Sequence, residues 1–157
     1  MSERAERELR AEGRTTASPA HVWAVLSDLD RMPAWSPELL RMVPLGGGGL
    51  RERQTYLGIN RRKAVVWPTR NVVAAIVPER LLVWDTPSSG ARWIWELVPT
   101  GDAGTTVVHR RPVPAGLPLA ARVVAGLLMG GAEAHADELE EGMACTVERM
   151  LAAVVAG

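Results

Sequence analysis

Two histidines have the side chain best suited to proton transfer in this sequence. His109 lies in the segment Thr105 to Arg111, whose alternation predicts a β-strand, and His135 lies in a segment of helical periodicity, one turn before Leu139. An imidazole titrates near neutral pH and can donate or accept a proton. If strand and helix face each other, the two histidines form an acid/base pair. The alternative is that each is an ordinary core or rim residue.

The tryptophans are candidates for binding a flat ligand. Trp93 and Trp95 share one face of a predicted strand, and Trp84 lies on the strand before it. With Trp67, they would form an aromatic wall suited to an apolar molecule. The alternative is that they fill the core of a chain that contains no Phe.

Arg70 and Arg92 are candidate buried cations. A guanidinium inside a cavity would hold a carboxylate or enolate oxygen through charge-assisted hydrogen bonds. Asp85 and Glu96 lie on the same predicted hairpins and are candidate partners for these arginines. The alternative is that both arginines are solvated strand residues.

Composition and motifs exclude several other classes of protein. Acidic and basic residues cancel to a net charge of +0, which argues against binding to nucleic acid. One cysteine, Cys145, excludes an intramolecular disulfide, and no histidine spacing indicates a metal site. The Gly46–Gly49 run lacks the Lys-Ser/Thr of a phosphate loop. We therefore expect no cofactor.

The remaining global properties are those of one soluble domain. The chain has 157 residues, of which 47% are hydrophobic and 23% charged. No apolar run is long enough to span a membrane, and the first residues lack the apolar core of a signal peptide. We expect a single domain over residues 1–157, a cytoplasmic location, and a monomer or homodimer.

The order of predicted elements is one strand, two short helices, six strands and a long helix. The first strand is predicted over Glu6–Ala17, and Ser18-Pro19 is typical of a helix start. Turn residues separate six later segments rich in Val, Trp, Ile and Thr, which predicts an antiparallel meander. These segments are Leu39–Leu45, Leu50–Ile59, Ala64–Val77, Leu81–Thr86, Ala91–Val98 and Thr105–Arg111.

The C-terminal segment carries one apolar stripe at helical spacing. Gly130-Gly131 interrupts it, so we expect a kink there and the strongest helix from Ala132 onward. The stripe comprises Leu128, His135, Leu139, Met143, Val147, Met150 and Val154.

Four segments resemble the START-like superfamily, also called SRPBCC or Bet v 1-like. They are Ala17–Asp28 with its Ser-Pro-x-x-Val-Trp pattern, Asp30–Pro37, Pro78–Trp84 and Trp95–Val107. The resemblance covers nearly the whole chain and, among bacterial members, points to the polyketide cyclase/dehydrase-type branch. It implies an α+β helix-grip fold in which a seven-stranded curved antiparallel sheet wraps the long C-terminal helix.

The resemblance also implies an internal apolar cavity between sheet and helix. It places Thr105, Val107, His109 and Arg111 on the inward face of the last strand. Leu128, Leu139 and Met143 would then line the cavity from the helix, opposite the tryptophans.

Three functional hypotheses follow. The leading one is a module that binds a hydrophobic small molecule such as a lipid, a polyketide or an aromatic compound. The second is a polyketide cyclase/dehydratase-type enzyme in which His109 and His135 exchange protons while Arg70 or Arg92 stabilises oxyanion charge. The third is a protein-interaction module that uses the groove for another protein. Fold alone does not decide among them, because one scaffold serves many functions.

Overall fold

The computed structural model describes residues 8–113 and 132–156, with side chains in the last helix described from Asp137 onward. The helices are α1 (Pro19–Leu26), a short 3₁₀ helix (Leu29–Ala34) and α2 (Ala132–Ala156). The strands are β1 (Leu9–Thr15), β2 (Leu39–Pro44), β3 (Thr55–Arg62), β4 (Val65–Val77), β5 (Leu81–Thr86), β6 (Ala91–Pro99) and β7 (Thr105–Arg111).

The seven strands form one antiparallel sheet in the order β1-β7-β6-β5-β4-β3-β2. The chain leaves β1 at one edge, crosses through the two short helices to β2 at the other edge, and returns strand by strand to β7. This long return brings β7 beside β1, where Leu9 pairs with Arg111 and Thr15 with Thr105.

The start of α1 follows from its first residues. The Ser18 hydroxyl accepts a hydrogen bond from the His21 backbone N–H at 3.2 Å, and Pro19 occupies a first-turn position where it needs no N–H partner. Val22, Val25 and Leu26 turn inward and are buried. The helix therefore covers one end of the core.

The long helix α2 packs against β1 and α1. Its stripe residues Met143, Val147, Met150 and Val154 are all buried, as the periodicity predicts. The backbone comes close at Gly13 on β1, where an added Cβ would lie 2.7 Å from Leu151 Cδ1. A glycine at that position lets the helix settle on the strand.

Three predicted boundaries are wrong. β1 is shorter than Glu6–Ala17, and the third strand begins at Thr55 rather than Leu50. The same strand was predicted to end at Ile59, but Asn60, Arg61 and Arg62 lie inside β3, and the chain reverses at Lys63, with φ of 54°. The cause is cross-strand pairing: Asn60, Arg61 and Arg62 pair with Trp67, Val66 and Val65, and this overrides their turn propensity.

Candidate functional site

A cavity of about 430 Å³ lies between the inner face of the sheet and the first part of α2. Among the described residues, buried polar side chains concentrate on its wall. Asn71, Thr86, His109, Arg111 and Thr146 are all buried and all line the cavity. Buried polar groups are costly unless they are hydrogen-bonded, so their gathering around a hollow is typical of a binding site.

The four tryptophans named from the sequence all line this cavity. Trp84 on β5 pairs directly with Trp93 on β6, and Trp95 pairs with His109 on β7. Trp84 and Trp95 are buried, whereas Trp67 and Trp93 are partly exposed. Because facing residues in a sheet lie on the same side, the pairing places the rings of Trp84, Trp93 and Trp95, together with the imidazole of His109, on one face of the sheet.

His109 is held between two of these rings. Its imidazole stacks on Trp95 with ring centroids 3.7 Å apart and more loosely on Trp93 at 5.7 Å. Its Nδ1 lies 3.0 Å from the Ile94 carbonyl oxygen, which can only accept, so Nδ1 carries the proton and Nε2 a lone pair. Burial lowers the pKa of His109 to about 4. At neutral pH it is therefore an uncharged hydrogen-bond acceptor.

The helix residues of the predicted site divide into two groups. Leu139 and Met143 line the cavity opposite the sheet. Leu128 lies outside the described residues, and so does the side chain of His135. The proposed His109–His135 pair therefore remains a prediction.

Arg70 and Arg92 do not line the cavity, and the expectation that they are buried cations is wrong. Both alternate with inward residues: Arg70 lies between Thr69 and Asn71, and Arg92 between Ala91 and Trp93. Successive side chains of a strand point to opposite faces, so the two arginines project outward. Arg92 pairs there with Asp85, its Nε 2.7 Å from Oδ1, so that predicted partner is correct.

Arg111 is a buried cation that lines the cavity, and it was missed as a binding candidate. It is only 5% exposed, lines the cavity, and lies over the Trp93 ring with its guanidinium carbon 5.4 Å from the ring centroid. Burial lowers its pKa to about 10, and the charge of Glu38 acts in the opposite direction. The sequence did contain a signal for this role. Arg111 lies two residues after His109 on the same face of β7, so the argument that turns His109 inward also turns Arg111 inward.

Polar side chains cross the inner face from β3 to β5. The Asn60 and Asn71 amides donate to Thr69 Oγ1 at 3.0 and 3.3 Å, and the Thr86 hydroxyl donates to Asn71 Oδ1 at 2.7 Å. Thr69 Oγ1 thus accepts twice, and its own O–H is left to donate. All four residues line the cavity, which gives one wall a hydrogen-bonding strip.

Charged residues surround the part of the cavity next to α2. Arg62 at the end of β3 makes a bidentate ion pair with Glu138 on α2. Burial raises the pKa of Glu38 to about 7, an effect that Arg62 opposes and Glu138 reinforces. Glu38 is therefore about half protonated at neutral pH.

Within residues 8–113 and 132–156, no group of three or more His, Cys, Asp or Glu side chains is placed to bind a metal ion. No helix within the described part of the chain is long and apolar enough to cross a bilayer.

Solved structures share this fold over nearly the whole chain. Ara h 8.0201 aligns over 96% of this chain and 99% of its own, with a TM-score of 0.67 and 12% identity. The Zhui aromatase/cyclase from a Streptomyces species aligns over 94% and 93%, with a TM-score of 0.67 and 17% identity. A Thermus thermophilus protein, TTHA0849, aligns over 94% and 99%, with a TM-score of 0.60 and 20% identity. The predicted helix-grip fold is thereby confirmed.

The sequence itself matches a family model over most of its length, although no curated protein sequence matched it. The model spans residues 7–140, from just before β1 into α2. That range contains every strand and most of the cavity wall described above. The chain therefore belongs to the family described as polyketide cyclase / dehydrase and lipid transport.

Proposed function

We propose that this protein binds a hydrophobic small molecule with a flat aromatic or polyketide-like body in the cavity between sheet and α2. Residues 1–157 form one ligand-binding domain in this proposal. The observation that carries it is the aromatic surface of Trp84, Trp93 and Trp95 on the wall of a 430 Å³ hollow. Family membership supports the same conclusion, because the family description names polyketide and lipid ligands.

The size and lining of the cavity fit such a ligand. Small-molecule sites in proteins commonly measure about 300–1,000 Å³ and combine apolar walls with a few convergent polar groups. Here the apolar part of the lining is aromatic. The polar part consists of the hydrogen-bonded side chains of Asn60, Thr69, Asn71 and Thr86, together with His109 and Arg111. A flat molecule can stack on the tryptophans while its oxygens meet the polar strip.

Filling the cavity tests this proposal without removing a core residue. Gly142 on α2 lines the cavity, and a Cβ added there would lie 3.8 Å from Pro37 Cγ, which is an ordinary van der Waals distance. Gly142→Leu should occupy part of the cavity and weaken binding of the uncharged fluorophore N-phenylnaphthylamine by about tenfold or more. Gly142→Ala, which adds one methyl group, is the matched control and should bind within about twofold of the parent protein.

Fluorescence titration, with thermal unfolding of each variant, decides the matter. The proposal requires Gly142→Leu to stay folded and lose affinity. Unchanged affinity in a folded Gly142→Leu protein, or no binding by the parent protein, would contradict it.

A second candidate function is acid/base catalysis on the bound molecule. The observation that favours it is the geometry of His109, which lines the cavity with its Nδ1 held by the Ile94 carbonyl and its Nε2 left to exchange a proton with the ligand. His135 is the proposed partner. Turnover of a poly-β-ketone chain, followed by the absorbance of an aromatic product, should then disappear in His109→Gln while N-phenylnaphthylamine still binds. Turnover that survives in both His109→Gln and His135→Gln would exclude this role.

A further inference from the structure

The guanidinium of Arg111 has no hydrogen-bonding partner among the described residues. Its Nε is buried without an acceptor, and no carboxylate of residues 8–113 or 137–156 lies within ion-pair distance. Its neighbour Arg110, which points the other way, bonds to both Glu96 and Glu8. Arg110 thus points outward and has two carboxylate partners, whereas Arg111 points inward and has none among the residues that the structure describes.

A buried charge without a partner is expensive, and Trp93 compensates only part of that cost. The ring lies close enough for a cation–π contact, but it supplies no hydrogen-bond acceptor. Buried cations in proteins are normally paired with an anion. Arg111 is therefore a buried donor group in the cavity wall for which the described part of the chain provides no acceptor.

Neither Glu38 nor Glu138, the two acidic residues of the described chain that line the cavity, provides this acceptor. Glu138 is engaged by Arg62 in a bidentate pair. The charge of Glu38 acts on Arg111, but burial keeps this carboxyl partly protonated at neutral pH and no hydrogen bond joins the two. An anion that enters the cavity thus meets an arginine that is not already neutralised.

We propose that the ligand of this cavity is an amphipathic acid, whose carboxylate pairs with Arg111 while its apolar body lies on the tryptophans. This rests on the proposed binding function and narrows its ligand class. A carboxylate matches the two-pronged donor geometry of a guanidinium, and the pair forms away from bulk water. His109, two residues earlier on the same face of β7, offers an acceptor to a hydroxyl of the same ligand.

A pair of probes with the same shape separates charge from apolar contact. Naphthalene carboxylic acid is an anion at neutral pH, and naphthalene carboxamide is uncharged. Calorimetric titration of the parent protein should show the acid binding about tenfold or more tighter than the amide, since hydrogen bonds to charged groups are the stronger ones.

Three variants assign that preference to Arg111. Arg111→Met should fold, because replacing an unpaired buried charge by an apolar side chain removes a desolvation cost, and it should bind acid and amide equally. Arg111→Lys should retain part of the preference for the acid, because the positive charge remains while the two-pronged hydrogen bonding of the guanidinium is lost. Arg110→Met, the matched control on the outer face, should keep the full preference.

The outcomes distinguish failure of the proposed acid preference from failure of the proposed ligand-binding function. Equal binding of acid and amide to the parent protein overturns the inference and leaves the binding function standing. A preference that persists in Arg111→Met overturns the assignment to this residue. Failure of both probes to bind contradicts the proposed function itself.

Discussion

The two halves of α2 meet the rest of the molecule in different ways. From Val147 to Val154 the helix lies on β1 and α1, and Met150 and Val154 are completely buried. From Leu139 to Thr146 its inward side chains border the cavity. Both halves present apolar residues to the interior, yet one is closed and the other is open.

Backbone spacing and side-chain chemistry account for the difference. In the closed half Gly13 lets aliphatic side chains of α2 settle directly on β1. In the open half the facing strands carry large rings and the polar residues His109 and Arg111. In the open half the rings and buried polar side chains leave a hollow against the helix, whereas in the closed half aliphatic side chains pack directly on the strand. Closure thus depends on what faces the helix, not on the hydrophobicity of the helix.

Two methionines on the same face of α2 provide the largest test of this comparison. Met150→Ala in the closed half should lower the free energy of unfolding by about 2–5 kcal/mol, because it creates a new cavity in a packed core. Met143→Ala should cost less, about 1–2 kcal/mol, because one side of Met143 already borders a hollow and has fewer contacts to lose. Urea unfolding of both variants measures the difference. Equal losses would show that the two halves are equally packed.

The pH dependence of stability tests the burial of His109. Its pKa is about 6.5 in the unfolded chain and about 4 in the folded protein, so below pH 6.5 the unfolded state binds a proton that the folded state does not. Stability from this group is complete above pH 6.5 and declines as pH falls towards 4, by about 1.4 kcal/mol per unit and about 3 kcal/mol in all. The stability of the parent protein minus that of His109→Gln isolates this slope, because Glu38 titrates in both. A difference that is flat with pH would mean that the imidazole is not buried.

Two glycines should respond to alanine with opposite signs. In the closed half Gly13→Ala places a Cβ 2.7 Å from Leu151 Cδ1 and 3.1 Å from Val147 Cγ1, and should destabilise the protein by about 1 kcal/mol. In the open half Gly142→Ala gains helix propensity without a clash and should stabilise it by about 0.5–1 kcal/mol. Thermal unfolding of both proteins checks the signs. Stabilisation by Gly13→Ala would refute close packing of α2 on β1.

The smallest change in stability is expected from a substitution on the outer face of the sheet. Arg92→Gln removes the exposed ion pair with Asp85 and should change stability by less than about 1 kcal/mol, because solvent screens such pairs. It should also leave ligand affinity unchanged, whereas Arg111→Met removes the preference for acids. A loss of that preference in Arg92→Gln would place the outward arginine in the site after all.

Much of the fold was predictable from local patterns. Alternation placed β5 and β7 at their observed bounds, and the 3.6-residue stripe identified the buried face of α2. The same alternation placed Trp93 and Trp95 together on one face. Where local propensity and pairing disagreed, as at Asn60 to Arg62, pairing prevailed because each added strand residue gains ladder hydrogen bonds and a neighbour.

The sequence alone determined which residues alternate, which side of the helix is apolar and which superfamily the chain resembles, because these properties are written in local spacing. The resemblance already placed Arg111 on the inward face, but only the tertiary structure decided that Arg70 and Arg92 lie outside. It also decided that Glu38 comes close enough to Arg111 to act on its charge. Both outcomes depend on which face of the sheet the helix covers and on which strands lie next to each other. The residues that flank a given residue in the sequence do not determine either of these.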